Sequence, residues 1–127
     1  MGVFGLWAPG FSPMPQNDMS ISISPRMYKE NLAPCDLRTA KASLYPMFHT
    51  HSAGAHHIET ILELLPRQGS LNVVIDNTGP ELESLVPILC KVQERSVPLH
   101  VTSPNLELVE KLTSELSPRG LAISYTE

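Results

Sequence analysis

Four of the five histidines of this chain fall within nine residues, His49-Thr50-His51-Ser52-Ala53-Gly54-Ala55-His56-His57. A neutral imidazole is the commonest protein ligand for a divalent metal. In a His-x-His placed on a strand, both rings point to one face, because side chains alternate. Two imidazoles side by side suit an ion such as zinc. A third ligand is available from His56 or His57 in the first turn of the helix that follows, and a carboxylate from Asp76 at the end of the next strand. A helix N-terminus disfavours a protonated ring, so histidines there are held neutral and ligand-ready. The same four residues also serve as ordinary surface or hydrogen-bonding histidines, a use that needs no ion.

A second group of polar residues sits where strands hand over to helices. Asp76, Asn77 and Thr78 close one apolar run, and Thr102 and Ser103 close another. In open α/β sheets ligands gather beyond the carboxyl ends of the strands, at a reversal of strand order. Backbone N–H groups at the helix starts there favour anions. These residue types are equally the standard turn and cap formers. Neither G-x-G-x-x-G nor G-x-x-x-x-G-K-[ST] accompanies them, so no phosphate loop is encoded.

The elements that must position these groups are legible from His51 onward. Ile58, Ile61, Leu62 and Leu65 mark the inner stripe of a helix over 53–65, with Ser52 as its N-cap and Pro66 and Gly69 as its stop. Leu71–Asp76, with its unbroken Val73-Val74-Ile75, reads as a strand covered on both faces. Leu82, Leu85, Val86, Leu89 and Val92 carry the next helix, with Pro80 in its first turn and a kink expected at Pro87. Strand Val97–Thr102, a helix opened by Ser103-Pro104, and strand Leu121–Tyr125 complete a β-α-β-α-β series. Short connections of this kind imply parallel strands. The expected fold is a single α/β domain over 41–127, in two or three layers, with a mostly parallel central sheet.

Residues 1–40 differ in kind. Phe4, Leu6, Trp7 and Phe11 stand among glycines and prolines with neither helical nor strand period, and read as an irregular arm. Such an arm either packs on its own domain or contacts a partner, since exposed apolar surface of this size is otherwise a liability. Met19-Ser20-Ile21-Ser22-Ile23-Ser24 alternates cleanly, which predicts an antiparallel edge strand closed by Pro25. Arg26–Leu32 reads as loop, and 34–44 as a short helix with Leu37, Ala40 and Leu44 on one face; Leu44–Phe48 reads alternatively as a strand interrupted by Pro46.

At 127 residues, 42% hydrophobic and 17% charged, the composition is that of one globular domain. The net charge of −4 argues against a nucleic-acid partner, which needs a basic face. No apolar run reaches the roughly 20 residues that span a bilayer, so no membrane partner is expected. The N-terminus lacks the basic segment of a secretion signal. Two cysteines, Cys35 and Cys90, build no disulfide framework. These points together suit an unprocessed cytoplasmic protein.

His49-Thr50-His51-Ser52 resembles the first motif of the PHP family of metal-dependent phosphoesterases, Asp-x-His-x-His-Ser. The helix after it, and then Val74-Ile75-Asp76-Asn77, is similar in layout to that family's next strand, which ends in Asp-His. The resemblance implies a divalent ion and hydrolysis of phosphate esters. Met47 stands where the family has its Asp, and Asn77 where it has the second His. The chain is also shorter than the family's (β/α) barrel requires. JAMM-type metalloproteases share His-x-His, but Leu62 occupies the position of their Asp.

Two functions follow as expectations. The first is a non-catalytic interaction or ligand-binding module without cofactor, working in a larger complex or as a homo-oligomer. Its contact surface would be Phe4, Leu6, Trp7 and Phe11. The alternative is a metal-dependent hydrolase, or a degenerate relic of one, with His49, His51, His56, His57 and Asp76 around an ion such as zinc.

Overall fold

The computed structural model describes residues 6–16 and 18–125, and Phe4 lies outside that range. Four strands, β1 (Met47–His51), β2 (Ser70–Val74), β3 (Leu99–Ser103) and β4 (Leu121–Tyr125), form one parallel sheet in the order β1-β2-β3-β4. The expected α/β class with a parallel sheet is what the chain adopts. Between them run α3 (Ile58–Leu64), α4 (Leu82–Glu94) and α5 (Leu106–Glu115). Since strand order follows chain order and parallel crossovers are right-handed, all three helices fall on one face.

Side-chain alternation sorts the strands into two faces. Phe48, Leu71, Leu99 and Leu121 align across the sheet, as do Thr50, Val73, Val101 and Ile123. The apolar members of these rows join Ile58, Ile61, Leu85, Leu89, Val92 and Leu112 in the core. The other face aligns His49, Asn72, His100 and Ala122, then His51, Val74, Thr102 and Ser124. Strand β2 is buried on both faces, but the residue it presents to the second is polar: Asn72 is fully buried.

The N-terminal third departs from expectation in three places. The alternating Met19–Ser24 is no strand: Asp18–Ser22 forms a 3-10 turn, and Ser24 Oγ caps α1 (Pro25–Met27) by accepting from the Met27 N–H at 3.3 Å. The pattern fails because two of its three apolar residues face out. Met19 is 81% exposed and Ile21 41%, while Ser20 is buried. A proline at the first helical position then favours a helix start over a strand end. Helical backbone also replaces the loop expected at 26–32, running through a π turn (Tyr28–Leu32) into α2 (Ala33–Ala40). Buried Tyr28 anchors it through a 2.7 Å hydrogen bond to Asp36. That bond and burial push the phenol's pKa up, burial contributing most. Leu44 lies beyond the helix end and is exposed.

What extends the sheet past β1 is residues 13–16, and they run parallel to it. The Met47 and His49 N–H groups donate to the Pro13 and Pro15 carbonyls, each at 3.0 Å, and Gln16 bridges to His49. Two helix starts also differ. Helix α4 begins at Leu82, beyond Pro80, and continues through Pro87. Helix α5 is capped by Asn105, whose Oδ1 accepts from the Leu108 N–H, while Ser103 closes the preceding turn. No helix among the described residues is long and apolar enough to cross a membrane.

Candidate metal centre

His49 and His51 occupy alternate positions on β1 and so share the polar face. Their rings meet edge to face at 5.3 Å between centroids. Asp18, on the 3-10 turn that follows the arm, completes the group. One ligand atom from each of Asp18, His49 and His51 lies within 4.8 Å of the other two. Ligands of a tetrahedral zinc at about 2.1 Å stand about 3.4 Å apart. An ion would therefore draw these groups inward by about 1 Å, within reach of side-chain rotation at an exposed Asp18.

The hydrogen bonds behind the two rings set their tautomers. Asp76 Oδ2 lies 2.6 Å from His51 Nδ1. Burial pushes the Asp76 carboxyl up, but hydrogen bonds from Thr78 and His51 outweigh it and hold it below the usual carboxylate range. An ionised carboxylate only accepts, so His51 carries its hydrogen on Nδ1, and Nε2, 3.9 Å from Asp18 Oδ1, holds the lone pair. His49 follows the same logic one strand pair inward. Asn72 Nδ2 faces the His100 carbonyl at 3.3 Å, an atom that only accepts, so the amide's Oδ1 is turned to His49. His49 Nδ1 donates to it at 2.5 Å. Metal-binding histidines characteristically donate their second nitrogen in this way, and such partners fix ring orientation.

The polar row continues across the sheet. Asn72 Nδ2 lies 3.0 Å from His100 Nδ1, and His100 Nε2 donates to Ser124 Oγ at 2.8 Å. Burial lowers the His100 pKa, which favours the neutral ring that this chain of bonds requires. The Asp76 end is fixed as tightly. Asp76 Oδ1 accepts from the Thr78 N–H at 2.9 Å and from its hydroxyl at 2.6 Å. Ser52 accepts from the Asp76 N–H at 3.3 Å and is not a helix cap. A Cβ at Gly79 would collide with Ser52, so only glycine lets this turn close over β1.

The expected site residues are thus divided among several places. His49, His51 and Asp76 come together, with Asp76 behind His51. His56 and His57 turn away: their Nε2 atoms lie 3.2 Å from the Ile23 carbonyl and 2.8 Å from the Ser20 carbonyl. Asn77 and Thr78 form an exposed turn, Ser103 is the buried last residue of β3, and Thr102 lies on the polar face. The strand order contains no reversal, so the crevice that would gather them does not form. Cavities of about 520 and 610 Å³ lie at the opposite, amino-terminal ends of the strands. The larger is lined by the arm (Leu6, Trp7, Met14) and by Met47, Ser70 and Pro98. In the arm Leu6 is half-buried, whereas Trp7 and Phe11 are 80% and 71% exposed.

Sequence reasoning missed Asp18 and Asn72. Asp18 lies far upstream of the histidines with no spacing that ties it to them. Asn72 does leave a signal, because a polar amide within an apolar strand run needs a partner. No family model, curated protein or solved structure matches this chain.

Proposed function

We propose that this chain is a divalent-metal-binding α/β domain, with Asp18, His49 and His51 as ligands and Asn72 and Asp76 orienting the two rings. The observation that carries this reading is the convergence of one carboxylate and two imidazoles, with one ligand atom of each within 4.8 Å of the others and each ring hydrogen-bonded at Nδ1. Two histidines and one carboxylate leave coordination positions for water, the pattern of hydrolytic zinc and of non-haem iron sites. With zinc, the bound water would be a nucleophile near neutral pH. Phosphate esters are the substrate class that the His49–Ser52 resemblance suggests. The cluster sits at the rim of the sheet, with His51 33% and Asp18 54% exposed at the side chain, so a substrate has access.

Elemental analysis of tag-free protein equilibrated with zinc is the direct test. About one ion per chain is expected, falling sharply in His49→Ala, His51→Ala and Asp18→Asn. A content well below one that none of the three changes alters would remove the metal reading.

A second reading, an interaction module contacting a protein partner or another copy of itself, is favoured by a separate observation: the exposure of Trp7 and Phe11 on an arm otherwise hydrogen-bonded to the loop before β1. Ser12 Oγ donates to the Tyr45 carbonyl at 2.6 Å, and Ser43 Oγ to that of Phe11. Trp7→Ala with Phe11→Ala should then reduce the mass seen by light scattering or the recovery of a complex. Unchanged values in both would end that reading.

A further inference from the structure

His56 and His57 are left without a role by the metal centre, yet both reach the segment that supplies its carboxylate. The turn Asp18–Ser22 has little apolar anchorage of its own, with Met19 81% and Ile21 41% exposed. Its ties to the 3-10 turn Ser52–His57 are chiefly polar. His57 Nε2 donates to the Ser20 carbonyl at 2.8 Å and His56 Nε2 to the Ile23 carbonyl at 3.2 Å. Ser20 and His57 are both buried, and Ile21 packs over Gly54, where an added Cβ would lie 2.5 Å from Thr50 Oγ1.

His57 is an uneconomical choice for packing alone. Its ring stacks against Tyr28 at 4.6 Å, a contact that a phenyl group would keep. Its Nδ1 is buried with no hydrogen-bond partner among the described residues, a burden that a phenyl group would not carry. What the imidazole adds is one N–H aimed at the backbone two residues from Asp18.

We infer that His57, assisted by His56, is a positioning residue: its Nε2–H clamps the Ser20 carbonyl and so holds Asp18 against His49 and His51. The four clustered histidines then divide their labour, two binding the ion and two fixing the segment that brings its third ligand. This inference rests on the metal reading above. It extends it to a residue with no contact to the ion.

The experiment compares Zn²⁺ affinity by competition with a chromogenic chelator in wild type, His57→Phe and His57→Gln, with thermal melts alongside. His57→Phe keeps the ring and removes the N–H, and should weaken Zn²⁺ binding about 10–100-fold, the usual loss for an orienting partner of a metal ligand. His57→Gln returns an amide N–H near the Nε2 position and should recover most of it. Hydrogen exchange should show the Ile23 amide, which donates to Ser20, losing protection in His57→Phe while β2 and β3 keep theirs. Equal Zn²⁺ affinity in wild type and His57→Phe overturns the positioning role and leaves the metal site standing. No Zn²⁺ binding by wild type overturns the metal site itself. Should His57→Phe fail to fold, His57→Gln decides: near-native affinity supports the clamp, and a loss as large as that of Asp18→Asn overturns it.

Discussion

The two faces of the sheet solve different problems with the same backbone. On the helix face, Phe48, Leu71 and Leu99 line up as one apolar row, and the helices exclude water from it. On the other, His49, Asn72 and His100 line up just as regularly, and each is held by a hydrogen bond to the next. Apolar packing is tolerant, since many side chains of similar volume fill the same space. A buried polar row is not, because each member needs a particular donor or acceptor from its neighbour. The helix face therefore supplies stability, and the polar face supplies direction: it fixes which nitrogen of each ring carries its hydrogen.

That contrast can be broken from either side. Leu71→Ala removes a fully buried side chain from the centre of the apolar row and should cost about 2–5 kcal/mol in urea unfolding. Chelation should rank next. Zinc at 100 times its Kd adds about 2.7 kcal/mol, which EDTA would remove from wild type but not from His49→Ala with His51→Ala. Asn72→Leu makes the polar row apolar at its middle and should cost about 1–3 kcal/mol by taking the acceptor from His49 Nδ1. It should also weaken zinc binding, which Leu71→Ala should not do in protein that remains folded.

A pH series on metal-free protein sharpens the comparison further. Burial lowers the pKa of His57 and of His100 from the ordinary 6.5, against a smaller opposing effect of the Ser20 hydrogen bond in His57. Below pH 6.5 the unfolded chain takes up protons that the folded rings refuse, so stability should fall as pH drops from 6.5 toward the folded values. His57→Phe should make that slope shallower in chemical denaturation. The smallest effect is expected at Lys29→Ala. Its 2.7 Å ion pair with Glu63 joins the π turn to α3, but both side chains are more than half exposed, and such pairs contribute about 0.5 kcal/mol or less.

Much of the helix face was legible in the sequence, because apolar spacing reports directly on burial against helices. Leu99-His100-Val101-Thr102 alternates in the way a sheet with one apolar face demands, and both it and the expected Leu121–Tyr125 are strands. The polar face was only half legible. His49 and His51 announce themselves by spacing, but their partners depend on register, which no local pattern encodes. The pairing of His49 with Asn72, and of Asn72 with His100, exists only once β1, β2 and β3 are aligned. Met19–Ser24 misled for the complementary reason. Its alternation is genuine, but tertiary contacts bury Ser20 and leave Met19 outside.

The two edges of the sheet bear on how two such molecules could meet. Pro13 and Pro15 give carbonyls to β1 and have no N–H to give back, so at these positions the segment is tied to β1 through its carbonyls alone. Strand β4 ends the sheet on the other side, and Leu121–Tyr125 holds neither proline nor a charged residue. Among the described residues, β4 is thus an open edge. Strand addition between the β4 edges of two copies would consume both, so that contact would close at a pair.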